Sequence, residues 1–134
     1  MASKTAFTKA QFSLNLAAAD AISNGAIAAI ANLSNPHKAV CVTVLDSAGG
    51  ILVQKRMDGC PDGAYRKFSY AKARTCVHLQ TSSRQFRTKY TGSSGSNGEL
   101  ADPPKFTQAA SMVSVMDGEL IPVAGGILVQ NVGM

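Results

Sequence analysis

Apolar and polar positions follow two rhythms along this chain of 134 residues. Leu16, Ala19, Ile22, Ala26, Ile30 and Leu33 recur at three- and four-residue steps, which predicts a helix over about 16–33 with one apolar stripe. Asn15 stands where an N-cap belongs, and Ser34-Asn35-Pro36 ends the run because proline cannot continue the hydrogen-bond ladder. Within it, Gly25 costs about 1 kcal/mol relative to alanine. The rhythm then changes. Ala39-Val-Cys-Val-Thr-Val-Leu45 is a β-branched run that reads as a buried strand, with Cys41 as a small apolar side chain. Asp46-Ser-Ala-Gly-Gly50 supplies a turn, and Ile51–Met57 returns as the second strand of a hairpin.

After the breaks at Asp58-Gly59 and Cys60-Pro-Asp-Gly63, a second helix fits Ala64 to about Gln80. Thr81 to Lys105 is rich in Ser, Thr, Gly and Pro and reads as a loop. Met112-Val-Ser-Val-Met116 alternates like a strand, Asp117-Gly118 is a turn, and Glu119–Val123 and Ile127–Gln130 are further extended pieces. Helix, hairpin, helix, loop and strands together predict an α+β domain, its antiparallel sheet flanked by helices. Residues 1–13 form a short polar lead-in that is expected to be flexible, and 14–134 the single domain. Gly-Gly-Ile-Leu-Val-Gln occurs at 49–54 and 125–130, and Met-Asp-Gly at 57–59 and 116–118. Their unequal offsets exclude one duplicated unit and indicate reuse of the same turn-to-strand chemistry.

Composition narrows the function classes. The chain is 46% hydrophobic and 16% charged, ordinary for one globular domain and unlike a disordered chain. It contains no run of about 18 apolar residues and opens without the apolar core of a secretory signal, so a cytoplasmic location with no membrane partner is expected. Cys41, Cys60 and Cys76 form no Cys-x-x-Cys, and neither His37 nor His78 completes a zinc-finger spacing. The formal net charge is +5, with nine of the thirteen basic residues between Lys55 and Lys89. No RNP-like aromatic cluster accompanies that charge, and no Gly-x-x-Gly clamp in a suitable setting, so nucleic acid is not the expected partner. Anionic lipid and a carboxylate-bearing ligand are the other partners such a patch suits, and a solvated helix face is its first reading.

The second helix holds the candidate chemistry. Phe68, Lys72, Thr75 and Leu79 fall on one stripe, with Ala64 and Ala71 beside it, whereas Tyr70, Ala73 and Arg74 point away. Lys72 is therefore a cation on an apolar face. Either it snorkels to water, or it faces a pocket and meets an anionic group. His78 borders the stripe; a lone histidine there is first a satisfied polar residue, and otherwise a candidate axial ligand for a haem iron or an acid–base group. His37 sits in a turn after Pro36. Asp46 and Asp58 read as turn residues that accept backbone hydrogen bonds. Gly125-Gly126 either offers backbone amides that a ligand can approach closely or makes a tight turn. No Gly-x-Ser-x-Gly, Walker loop or dinucleotide fingerprint occurs.

The order of the motifs resembles the GlcG/HbpS-like (haem-degrading domain) family, which includes C-terminal domains of PduO type. The matching pieces are Leu14–Asp20, Val42–Gly50, Arg56-Met-Asp-Gly59, Ala71-Lys-Ala-Arg-Thr75 and Pro122-Val-Ala-Gly-Gly126. The resemblance implies a profilin-like α-β-α fold, homo-oligomeric assembly and, in some relatives, haem or iron binding. It carries over to Arg56, Asp58, Lys72, Thr75, Gly125 and Gly126; neither histidine is covered. Such proteins continue beyond the Gly-Gly segment with a further strand and helix, whereas this chain ends at Asn131-Val-Gly-Met134. The first expectation is a small oligomeric protein that binds haem, iron or another anionic cofactor through Lys72, Thr75, Arg56, Gly125 and Gly126. The alternatives are an enzyme or accessory protein for a small organic acid, and a purely structural oligomer subunit.

Overall fold

A computed structural model describes residues 13–33, 39–91 and 103–130. Most of the lead-in, the turn holding His37, the Ser/Gly-rich stretch 92–102 and the tail 131–134 lie outside the described residues. Helix α1 spans Leu16–Ala31, strands β1 and β2 span Cys41–Leu45 and Ile51–Arg56, and helix α2 spans Ala64–Leu79. Helices α3, Ser83–Thr91, and α4, Pro103–Val115, follow.

The expected cap is present: the Asn15 Oδ1 accepts from the Ala18 N–H at 2.8 Å. β1 and β2 pair antiparallel, with Val42 opposite Lys55 and Thr43 opposite Gln54, and the register shifts between Val44 and Leu45. The Asp46 carboxylate accepts from the Ala48 and Gly50 amides at 3.0 and 2.9 Å, so it closes the hairpin turn as expected. Ser13, the last residue of the lead-in, docks on that turn and accepts from the Ser47 N–H at 3.1 Å.

Side chains alternate across a strand, which places the two long helices on opposite faces of the hairpin. Lys55, opposite Val42, reaches Asp20 and Asn24 of α1 at 2.5 and 2.7 Å. Thr43 and Gln54, on the other face, bond Ser69 and the Arg66 carbonyl of α2 at 2.7 and 3.2 Å. The result is an α+β layering, α1 on one side of the antiparallel ribbon and α2 on the other. Buried Ala19, Val44, Leu45, Ala71 and Cys76 fill the interior, with Phe86, Ala109 and Leu120 extending it towards α3 and α4. Cys41 is only half-buried.

Three sequence expectations are corrected. The stretch read as one loop from Thr81 to Lys105 contains α3 and the start of α4. The Ser82 hydroxyl accepts from the Gln85 N–H at 3.1 Å and the Gln85 side-chain oxygen from the Ser82 N–H at 3.4 Å. That reciprocal cap lets a polar segment be helical despite its composition. Met112–Met116, read as a strand, is the last turn of α4 and the residue after it. The alternation there is outweighed by a longer helical period, in which Phe106, Ala109 and Val113 share a face and Ala109 is buried. The sheet has two strands among the described residues, and Glu119–Val123 and Ile127–Gln130 join no ladder there.

Candidate functional site

Segment 119–126 lies along α2 and is pinned to it, and to the start of α3, at three points. The buried Thr75 hydroxyl donates to the Ala71 carbonyl at 2.8 Å and accepts from the Ile121 N–H at 2.9 Å. The buried Ser83 hydroxyl accepts from the Gly126 N–H at 2.8 Å, and the Ser83 N–H donates to the Gly126 carbonyl at 3.2 Å. Arg74 donates through Nη2 to Glu119 at 2.6 Å and through Nη1 to the Gly49 carbonyl at 2.9 Å. Expected to point away from the apolar stripe, the Arg74 side chain is instead only 17% exposed. It ties the hairpin turn to the C-terminal segment, because α2 is covered on that side too. Its Nε is buried without a partner among the described residues.

Lys72 sits in the middle of this arrangement and is half-buried. Its Cδ and Nζ both lie 3.3 Å from the point a Cβ at Gly125 would occupy, so the side chain runs over that glycine. Gly125 has φ +127°, a conformation side-chain-bearing residues rarely adopt. At Gly126 a Cβ would lie 2.5 Å from the Lys72 carbonyl oxygen and 2.9 Å from both Cys76 Sγ and Ser83 Oγ. Only glycine permits this approach. Among the described residues the Lys72 ammonium has no hydrogen-bond or ion-pair partner. Lys55, Arg66 and Arg74 differ in this, being paired with Asp20, Asp62 and Glu119.

Lys72, Thr75, Gly125 and Gly126 are thus brought together. Arg56 is engaged elsewhere, donating to the Cys60 carbonyl at 2.8 Å beyond the end of β2. His78 belongs to the Arg74 cluster: its Nε2 is 3.7 Å from Glu119 Oε2. The neighbouring Arg74 guanidinium holds the Glu119 carboxyl below the usual carboxylate range, chiefly by its hydrogen bond. Burial pushes the Cys76 thiol up, which disfavours its reactive thiolate. His37 lies outside the described residues.

An open concavity of about 510 Å³ adjoins the pinned segment, between the end of α2, the start of α3 and residues 127–130. Gln80, Thr81, Arg84, Gln85, Ile127 and Leu128 line most of it. No group of three or more His, Cys, Asp or Glu side chains among the described residues is arranged to hold a metal ion. None of their helices is long and apolar enough to cross a membrane.

Sequence reasoning did not assign Ser83 or Glu119 to this site. Ser82-Ser-Arg-Gln85 carries a capping signature that signals α3 and so the position of Ser83. Nothing local singles out Glu119, whose role exists only through Arg74.

Comparison with curated proteins and with solved structures returned no match. The family described as haem degrading protein HbpS-like matches residues 14–134, a span holding every element above, and the chain belongs to that HbpS-like family.

Proposed function

We propose that this protein binds a carboxylate-bearing ligand, haem foremost, at the edge formed by Lys72 and Gly125-Gly126. One observation carries the reading: the ammonium of a half-buried lysine held over a glycine, with no anion beside it among the described residues. A carboxylate arriving beside an ammonium that has no anionic neighbour gains a charge-assisted hydrogen bond. Helices α2 and α3 contain no Asp or Glu to compete for it. Arg84 is a further cation, on the lining of the adjoining concavity.

Haem makes two demands on such a site. Its propionates suit the Lys72 ammonium. Its iron takes a nitrogen, sulfur or phenolate donor, and the lining of the concavity supplies no such side chain. His78 is the candidate axial ligand, and ligation through Nε2 requires that nitrogen to leave Glu119. When bound, haem would supply redox chemistry; the protein's own residues orient it by its carboxylates.

Titration with hemin tests both parts. A shifted Soret band is expected, with Lys72→Ala weakening affinity about tenfold or more. Loss of the band in His78→Ala supports axial ligation. No spectral change at tens of micromolar hemin overturns the haem reading, and unchanged affinity in Lys72→Ala overturns the role of Lys72.

A second reading, self-association, has its own support. Leu16 and Leu33 at the ends of the α1 region are 62% and 50% exposed, and Ile127 in the C-terminal segment is 80% exposed. Burying such side chains against another copy gains about 1.5–3 kcal/mol each. Light scattering at several concentrations measures this, and a constant monomer mass overturns it.

A further inference from the structure

Resting on the Lys72 reading, we propose that Tyr65 and Phe68 form a stacking platform that selects flat, conjugated carboxylic acids. Phe68 lies four residues before Lys72 and Tyr65 seven, so at 100° per residue the three span about 60° of the helix surface. Side chains on a helix tend to lean towards its N-terminus, and the turn that holds Phe68 lies on that side of Lys72. This stripe faces inward further along α2, where Ala71, Thr75 and Cys76 are buried. At its N-terminal end it is uncovered among the described residues: Tyr65 is 50% and Phe68 47% exposed. Their ring centroids are 6.1 Å apart with planes at 71°, so each ring braces the other in a T-shaped pair.

Among the described residues the same arrangement occurs once in the interior. Phe86 and Tyr90 pair at 5.3 Å and 68°, with Phe86 fully enclosed. There the pair is core. At Tyr65 and Phe68 the same T-shaped geometry presents open ring surface one and two turns before Lys72 on the same side of α2. A π-face next to a cation is complementary to a planar conjugated ring bearing a carboxylate: the ring stacks and the acid meets Lys72. A compact aliphatic acid uses only the second contact, so the platform discriminates by shape.

The full chain is titrated with metal-free protoporphyrin IX, followed by fluorescence, and with cyclohexanecarboxylate, followed by NMR shifts. The variants are Lys72→Ala, the double variant Tyr65→Leu/Phe68→Leu, and Phe106→Leu on α4 as a control, each checked for wild-type circular dichroism. The double variant is expected to bind protoporphyrin about tenfold more weakly, with cyclohexanecarboxylate unaffected. Lys72→Ala is expected to weaken both acids, and Phe106→Leu neither. Protoporphyrin affinity unchanged in the double variant, or lowered equally in Phe106→Leu, overturns the platform and leaves the Lys72 reading standing. Failure of the wild type to bind either acid overturns both.

Discussion

Thr75 Oγ1 accepts the Ile121 N–H at 2.9 Å while donating its own proton to the Ala71 carbonyl at 2.8 Å. One hydroxyl therefore joins the middle of α2 to a segment that has no strand partner among the described residues. Thr75 is fully buried, so a Thr75→Val protein keeps the shape and leaves the Ile121 N–H unsatisfied. Stability should fall by about 1–3 kcal/mol. Thr75→Ser should retain most of it. Urea unfolding measures both, and equal midpoints for wild type and Thr75→Val would refute the tether.

Gly126→Ala places a methyl group 2.5 Å from a helix carbonyl, where backbone must move. The expected loss is about 1–3 kcal/mol or more, together with weaker ligand binding, because the Gly-Gly segment is pushed off α2. A thermal midpoint within a degree of wild type would count against this packing.

The opposite sign is expected at Gly25, inside α1, where a Cβ would meet nothing within 4 Å. Gly25→Ala should stabilise the protein by about 0.5–1 kcal/mol through helix propensity alone. Chemical denaturation decides it, and a destabilised variant would mean that this face of α1 is already covered by another copy.

The Arg74–Glu119 pair makes stability depend on pH. Because the Glu119 carboxyl titrates lower in the folded protein, the unfolded chain binds its proton first as pH falls. The contribution is complete above the ordinary glutamate value of about 4.3 and disappears as pH drops through the lowered folded value. Glu119→Gln should therefore have a flatter decline of stability below about pH 4.3. Asp62, likewise lowered by its hydrogen bond from Gly63 and by Arg66, keeps its own share of the slope. Parallel pH profiles for wild type and variant would show the pair to be energetically silent.

How far a sequence can be read here follows from how local each cause is. The N-cap at Asn15, the hairpin closed by Asp46 and the two long helices are dictated by neighbouring residues, and all were readable. Lys72 on the apolar side of α2 was readable for the same reason. Helix α3 was obscured because its polar composition resembles a loop, although the Ser82–Gln85 cap was written in the chain. The Met112–Met116 alternation misled because five residues suit either period.

Along the chain alone, periodicity, caps and turn residues determined the α+β class, the hairpin and the position of a cation among apolar neighbours. Tertiary structure decided the rest. It turned Arg74 into a clamp on Gly49 and Glu119, brought Ser83 onto Gly126, and laid residues 119–126 along α2 without a strand partner among the described residues. Those contacts join residues 25 to 46 positions apart. Each depends on where distant backbone comes to rest, and no local preference encodes that.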